Sequence, residues 1–362
     1  MRPRTFLLFT FILLTISINT FPQDLTRFVN PFIGTTNYGT TNPGAVYPHG
    51  MVTVCPFNVT GSKENKFDKD AQWFSTPYEY TNAVFTGLSH ISLSGVGCPE
   101  LGSLLLMPTT GKPDADIKNY GSKIIRLKAE PGLFSCNIDR YNIQSQSSAT
   151  LRTGISEFTF PAGESNILLN LGEGLTNESG AFARIVSDTE VEGMKLLGTF
   201  CYNPQAVFPV YFVMKVSKTP KRVVYWKKQR PMTAEAAWDN TAGTYKFYEK
   251  YNREIAGDDI GIIYNYETQA DEKITVKIGI SYVSIENARK NLETEQPAFD
   301  IAKTIQSASS EWESVLSKIK LEGGTDDQKN IFYTALYHLH IHPNILQDVN
   351  GEYPAMESGK IL

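Results

Sequence analysis

Lys273–Ser281 reads KITVKIGIS, with Ile274, Val276, Ile278 and Ile280 alternating with Thr275, Lys277 and Gly279. Successive side chains of an extended backbone point to opposite faces, so a period of two predicts a strand with one buried and one wet face. Runs of the same kind lie at Met51–Pro56, Leu104–Met107, Ile155–Phe160, Ile167–Leu171, Val191–Phe200 and Val210–Val216. Turn residues separate them: Pro131-Gly132, Pro161-Ala162-Gly163 and Asn177-Glu178-Ser179-Gly180. Many short strands from Asp24 to about Ser284, with no alternating helices, predict an antiparallel β-sandwich.

The pattern changes after Val283. Ile301, Ile305, Ala308, Trp312, Val315, Leu316 and Ile319 fall at helical spacing. Gly323-Gly324 interrupts the chain, and Thr325 with Gln328 three residues on is a capping box that opens a second helix. Ile331, Ala335, Leu336 and Leu339 give that helix an apolar face, and Pro343 stops it. The predicted fold class is therefore mainly β: an antiparallel β-sandwich followed by helices. The boundaries are 1–22 for a leader, 23–284 for the sandwich, 285–320 for a helical linker and 321–362 for the start of a second domain.

The chain has 362 residues, Lys+Arg 34 against Asp+Glu 38, and a formal net charge of −4. A 41% hydrophobic content excludes a largely disordered chain, and the charge balance argues against a nucleic-acid partner. Lys215 to Arg230 does carry seven basic residues and no acid, interleaved with Tyr225 and Trp226. It reads as a solvated hairpin or a face for anionic glycans. Arg2 and Arg4 precede Phe6–Ile18, an uncharged run of 13 residues. A membrane span needs about 20 apolar residues, so this is a secretory h-region, and the protein is expected to be secreted or periplasmic with no stable span after cleavage. The alternative is an uncleaved N-terminal anchor. Cys55, Cys98, Cys136 and Cys201 could form two bridges in that compartment; buried thiols are the other reading. Asn58-Val59-Thr60 and Asn177-Glu178-Ser179 match the glycosylation sequon without implying its use.

Three stretches go further: Val29–Gly50, VNPFIGTTNYGTTNPGAVYPHG; Gly87–Pro108, GLSHISLSGVGCPELGSLLLMP, preceded by Trp73 and Tyr78-Glu79-Tyr80; and Phe332–Tyr353, FYTALYHLHIHPNILQDVNGEY. In this order and spacing they resemble glycoside hydrolase family 92, calcium-dependent exo-acting α-mannosidases. The resemblance covers the mature chain but only the front of the family's architecture. It implies a sandwich packed on an (α/α)6 barrel, a site lined by both domains, and hydrolysis of terminal α-mannosides with inversion. Mannose-containing glycans are the implied partners and Ca2+ the implied cofactor. Twelve helices of about 12–15 residues need well over about 150 residues, whereas Leu321–Leu362 supplies 42. The family's acid, base and main calcium ligands are thus expected beyond Leu362, with no catalytic residue and no complete metal site in this chain. A split-gene product could supply the missing barrel. The alternative function is a non-catalytic carbohydrate-binding sandwich.

The resemblance implies Trp73 as a sugar-stacking residue. His90, Ser94 and Gly44 are the other candidate substrate contacts. His90 could donate to a sugar hydroxyl or hold the Ser92–Gly97 loop. Gly34, Thr35, Pro43 and Gly44 form a loop that faces the pocket or is a structural turn; with no GxxxxGK[ST] it is not a phosphate cradle. Three positions depart from the family pattern: Ser92 replaces its second histidine, Glu100 its aspartate, and His49 its phenylalanine. His338, His340 and His342 would not share one helix face, so a three-histidine metal site is not expected. The helical tail from about Ala298, whose apolar faces serve both the sandwich and the missing barrel, is expected to be the least stable part.

Overall fold

The computed structural model describes residues 24–36, 39–59, 75–95, 97–175, 180–198, 207–229, 231, 243–249, 253–355 and 360–362. The leader 1–22, Trp73, Asn177 and Cys201 lie outside them.

Two antiparallel sheets share one core. The eight-stranded sheet runs Ala45–Val46, Thr53–Phe57, Gly87–Ser89, Leu105–Thr110, Gly163–Asn170, Ile260–Thr268, Arg222–Gln229 and Thr244–Tyr248. The ten-stranded sheet runs Glu254–Gly257, Ala181–Ser187, Glu190–Gly198, Val207–Val216, Glu272–Ser281, Thr153–Phe160, Ile143–Ala149, Leu133–Ile138, Ser122–Glu130 and Val84–Phe85. Val54, Leu88, Leu106, Ile167 and Ile262 from the first meet Phe158, Phe212, Ile274, Val276, Ile278 and Ile280 from the second in one apolar cluster. Ile91–Ser92 and Leu101–Ser103 form a small third sheet, and helix α1 is a single turn, Ile117–Tyr120.

The opening stretch occupies the middle of the larger sheet. Its strand pairs with Thr153–Phe160 on one side and Val207–Val216 on the other. The apolar alternation faces the core as predicted, but the opposite face is not wet. Helix α2 (Ile285–Glu295) folds back over it, and Val213, Ala288 and Leu292 make a small cluster there. A Cβ on Gly279 would sit 2.5 Å from the Ala288 carbonyl oxygen, so glycine lets the helix approach. Lys277 is 4% exposed and donates through Nζ to the carbonyls of Gln296 (2.6 Å) and Pro297 (3.0 Å). A cation there satisfies carbonyls that a helix C-terminus leaves without partners.

The basic run is not a hairpin. Lys215 lies in the larger sheet and Arg222–Gln229 in the smaller. Lys215 pairs with Glu190 and Glu293, Lys218 with Glu272, and Arg222 with Glu164 and Glu249. Tyr225 and Trp226 are buried, so the chain crosses between layers here, turning its aromatics inward and its cations toward acids.

Helices α3 (Ile301–Leu316) and α4 (Asp326–Leu339) follow, and α4 opens with the predicted capping box. They build a second core. Trp312 and Leu316 of α3 and Tyr333, Leu336 and Tyr337 of α4 enclose Leu25, Phe28, Val29 and Val46. The Trp312 indole Nε1 donates to the Val46 carbonyl at 2.7 Å. Glu313 Oε2 accepts the backbone N–H groups of Leu25 (2.8 Å) and Thr26 (3.1 Å), and Thr334 Oγ1 accepts that of Asn30 (2.9 Å). The segment after the leader is thus clamped onto the helices. The apolar residues of the tail divide: Ile301, Trp312, Leu316 and Leu336 are buried, whereas Ile331 and Leu339 are 66% and 71% exposed.

Candidate functional site

The three motif stretches converge at one edge of the sandwich. The first contributes the loop from Gly34 to Gly44. Gly34 has φ +85°, its carbonyl accepts the Thr41 N–H (3.2 Å), and Thr41 Oγ1 donates to the Ile33 carbonyl (2.9 Å). Gly44 takes the Asn42 Oδ1 on its N–H at 3.1 Å. A Cβ there would lie 2.6 Å from Thr53 Cγ2, so the loop's return into its strand requires glycine.

The second stretch is bonded to the first. Gly95 donates its N–H to the Thr40 carbonyl at 2.6 Å, and Asn42 Nδ2 donates to the Leu93 carbonyl at 3.0 Å. Ser94 sits between these two ties. Its N–H donates to Nε2 of His342, from the third stretch, at 2.7 Å.

The third stretch leaves helical geometry earlier than the histidine spacing suggested. Helix α4 ends at Leu339, because a residue before proline disfavours the α region and His342 precedes Pro343. His340 and His342 therefore lie in a non-helical tail, and the argument from a shared helix face does not apply to them. That tail runs beside His49: its N–H donates to the His340 carbonyl (2.8 Å), its carbonyl accepts the Ile345 N–H (2.9 Å), and its Nδ1 bonds the Pro343 carbonyl (3.0 Å). Asn344 Nδ2 adds bonds to the carbonyls of Gly50 and of Ile341.

His90 lies beneath this rim. Its ring is 1% exposed, packed against Gly154, with Nδ1 bonded to the Leu104 carbonyl at 2.9 Å. Burial pulls its pKa down to about 4, so it is neutral in the fold, and Nδ1 donates. In this position it supports the loop from below and offers no donor to solvent. Gly44 and Ser94 belong to the rim itself. Thr40, Asn42 and His342 are the members that sequence reading missed, whereas His49 stood out as a departure from the family pattern. The signal for His342 was present in the proline that takes it off the helix.

Two acidic groups near the rim, Glu79 and Asp348, are engaged. Glu79 Oε1 accepts from Thr36 Oγ1 (2.8 Å), Thr81 Oγ1 (3.0 Å) and the Thr81 N–H (3.2 Å). Asp348 is buried behind the tail and accepts from Ser281 Oγ (2.6 Å), Asn287 Nδ2 (2.9 Å) and Asn291 Nδ2 (2.6 Å). Calcium takes six to eight oxygen ligands. Among the described residues no group of three or more His, Cys, Asp or Glu side chains could hold a metal ion.

Asn58 is closed to modification in the folded state. It is buried, its Nδ2 donates to the carbonyls of Glu79 and Asn82, and its Oδ1 accepts the Glu79 N–H. Cys55 and Cys136 are free buried thiols, and burial pushes the Cys136 pKa up to about 12. Cys98, beside the rim loop, is disulfide-bonded, which corrects the all-thiol reading; its partner lies outside the described residues.

A sandwich packed against helices, with three loop segments bonded to one another where they meet, sets the candidate site at that junction. The glycosyl hydrolase family 92 N-terminal domain matches residues 28–281, and the family's catalytic domain matches residues 287–361. The chain belongs to glycosyl hydrolase family 92. It is 28% identical over 357 residues to an uncharacterized secreted glycosidase of Arthroderma benhamiae, covering 92% of this chain and 43% of that protein. It superposes on a family GH92 α-mannosidase of Bacteroides thetaiotaomicron with a TM-score of 0.80 and 25% identity, covering 94% of this chain and 44% of the other. That enzyme is also known in complex with mannoimidazole. A family GH92 inverting mannosidase from Bacteroides thetaiotaomicron VPI-5482, 21% identical with a TM-score of 0.75 over 93% of this chain and 43% of its own, shares the fold. The chain thus spans less than half the length of these relatives. No helix among the described residues is long and apolar enough to cross a membrane.

Proposed function

We propose that the chain supplies the sandwich wall and the first catalytic-domain helices of an exported glycosidase acting on terminal α-mannosides. The observation that carries this is the convergence of the three motif stretches, through the Thr40–Gly95, Asn42–Leu93 and Ser94–His342 bonds, in a member of family 92. Gly44 and Ser94 shape the rim, His90 positions it, and Trp73 supplies a stacking face for the sugar. Export through residues 1–22 accords with the secreted relative.

The 362 residues by themselves do not release mannose. Inversion uses a general acid and a general base about 6.5–9.5 Å apart across the sugar. Glu79 and Asp348 already accept three hydrogen bonds each, so neither is free for these roles. The exposed Ile331, Ala335 and Leu339, four residues apart along α4, make a seat for further helices and favour this reading over a free-standing glycan-binding sandwich. A polypeptide carrying the rest of a family-92 catalytic domain is the partner that would seat there, with calcium bound outside the described residues.

The test is mannose release from α-linked mannobiosides, with and without calcium. The chain alone should show none, and adding the remaining catalytic domain as a separate polypeptide should produce it. Turnover by the purified chain alone would overturn the division of labour. No turnover with the second polypeptide, despite its binding, would overturn the mannosidase reading.

A further inference from the structure

The Ser94–His342 bond has a chemical requirement that the other ties at the junction lack. Ser94 donates a backbone N–H to Nε2 at 2.7 Å, and an imidazole nitrogen accepts only while it carries no proton. An imidazolium would set one N–H against another. The backbone on either side of the ring is held by bonds in which the ring takes no part: His49 to His340, Ile345 to His49, and Asn344 to Gly50 and Ile341.

Few groups act on the ring. From the Tyr47–Met51 turn it faces His49, whose positive charge would oppose its own; from its own tail it bonds Asn344, which is neutral. The His340 ring lies tilted against His49 at 5.5 Å between ring centroids, and its Nδ1 bonds the Leu336 carbonyl at 2.9 Å. The rim loop presents the Ser94 N–H to it. No acidic group among the described residues figures in its electrostatics.

We propose that His342 is a positioning residue: while neutral it holds the Leu93–Gly95 segment against the first turn after α4, and on protonation it releases that segment. The sandwich wall of the candidate rim is thereby set by pH. The contact stands independently of any ligand; its consequence for glycans rests on the function proposed above. Burial keeps the folded His342 pKa below its ordinary 6.5, and His49 acts in the same direction. A base with a depressed folded value keeps its contact above the ordinary value and loses it as pH falls through the depressed one.

Hydrogen exchange of the Ser94 amide in the full chain tests this, with each rate divided by the intrinsic rate at that pH. Between about pH 8 and pH 5 its protection should fall by about tenfold or more, while that of Gly95, bonded to the Thr40 carbonyl, changes less. His342→Gln keeps an acceptor that does not titrate, so protection should stay flat. His342→Leu should give low protection at both ends. Equal wild-type protection at the two pH values overturns the proposal, whether or not the variants fold, as does wild-type protection in His342→Leu. No glycan enters this experiment. The expected exchange pattern in a chain that binds no mannoside would therefore uphold this inference and overturn the proposed function alone.

Discussion

The molecule has two cores of opposite design. The sandwich core is closed: its strands bury Ile274, Val276, Ile278 and Ile280 on one side, and α2 covers the other. The second core is closed on one side only. There α3 and α4 grip Leu25, Phe28, Val29 and Val46, while Ile331, Ala335 and Leu339 on the far face of α4 meet solvent. The difference lies in the two faces of α4. One fixes the N-terminal segment and thereby the Gly34–Gly44 loop that follows it; the other is exposed.

Two truncations should separate the cores most sharply. Trp312→Ala and Phe158→Ala each remove a fully buried aromatic, at a cost of about 3–5 kcal/mol. Trp312→Ala should release α3, α4 and the Leu25–Asn30 segment while the sandwich stays folded, giving two urea transitions. Phe158→Ala should lower the sandwich transition itself. One shared transition, shifted equally by both, would break the distinction.

Acid comes next and acts on the sandwich. The folded His90 pKa is about 4, against an ordinary value of 6.5. The unfolded state binds the proton first, so this contribution is complete above about pH 6.5 and lost as pH falls toward 4. At about 1.4 kcal/mol per unit it is on the order of 3 kcal/mol. Denaturant midpoints between about pH 7 and 4.5 should fall in the wild type and fall less in His90→Asn; parallel slopes would contradict the assignment.

Asp348→Asn should cost about 1–3 kcal/mol, since an amide NH2 would face the donors of Asn287 or Asn291. Its mark should be faster exchange at Val349, whose N–H is bonded to Asn291 Oδ1. The smallest effect is expected on the open face. Ile331→Lys with Leu339→Lys should change stability by no more than about 0.5 kcal/mol, yet reduce self-association in sedimentation. A loss above about 2 kcal/mol, the range for burying such side chains, would mean that this face is already covered.

Much of this was legible in the sequence. The alternation in Lys273–Ser281 located the central strand and the core residues, and Thr325 with Gln328 located the start of α4 to the residue. Local patterns sufficed there because a strand's facing and a helix cap are set by neighbours in the chain. What covers the strand's other face was not legible, since α2 folds over it and Lys277 reads as solvated until its bonds to Gln296 and Pro297 are seen. The run Lys215–Arg230 misled for the same reason: a change of sheet leaves no local mark. At the candidate rim, the motifs pointed to the segments that hold Gly44 and Ser94, which the structure brings together with the third stretch, but helical phase was carried past Leu339, which hid the His342 contact.

The proposed function makes the loops around Thr40, Gly44 and Ser94 the sugar-facing edge of this family-92 chain. Its most direct test is residue-resolved NMR of the full chain titrated with mannoimidazole or a mannose-terminated oligosaccharide. Saturable shifts are expected at the amides of Thr40, Asn42, Gly44, Ser94 and Gly95, with none along Ile331–Leu339. Saturable shifts confined to other surfaces, or none at the rim with calcium present or absent, would contradict it.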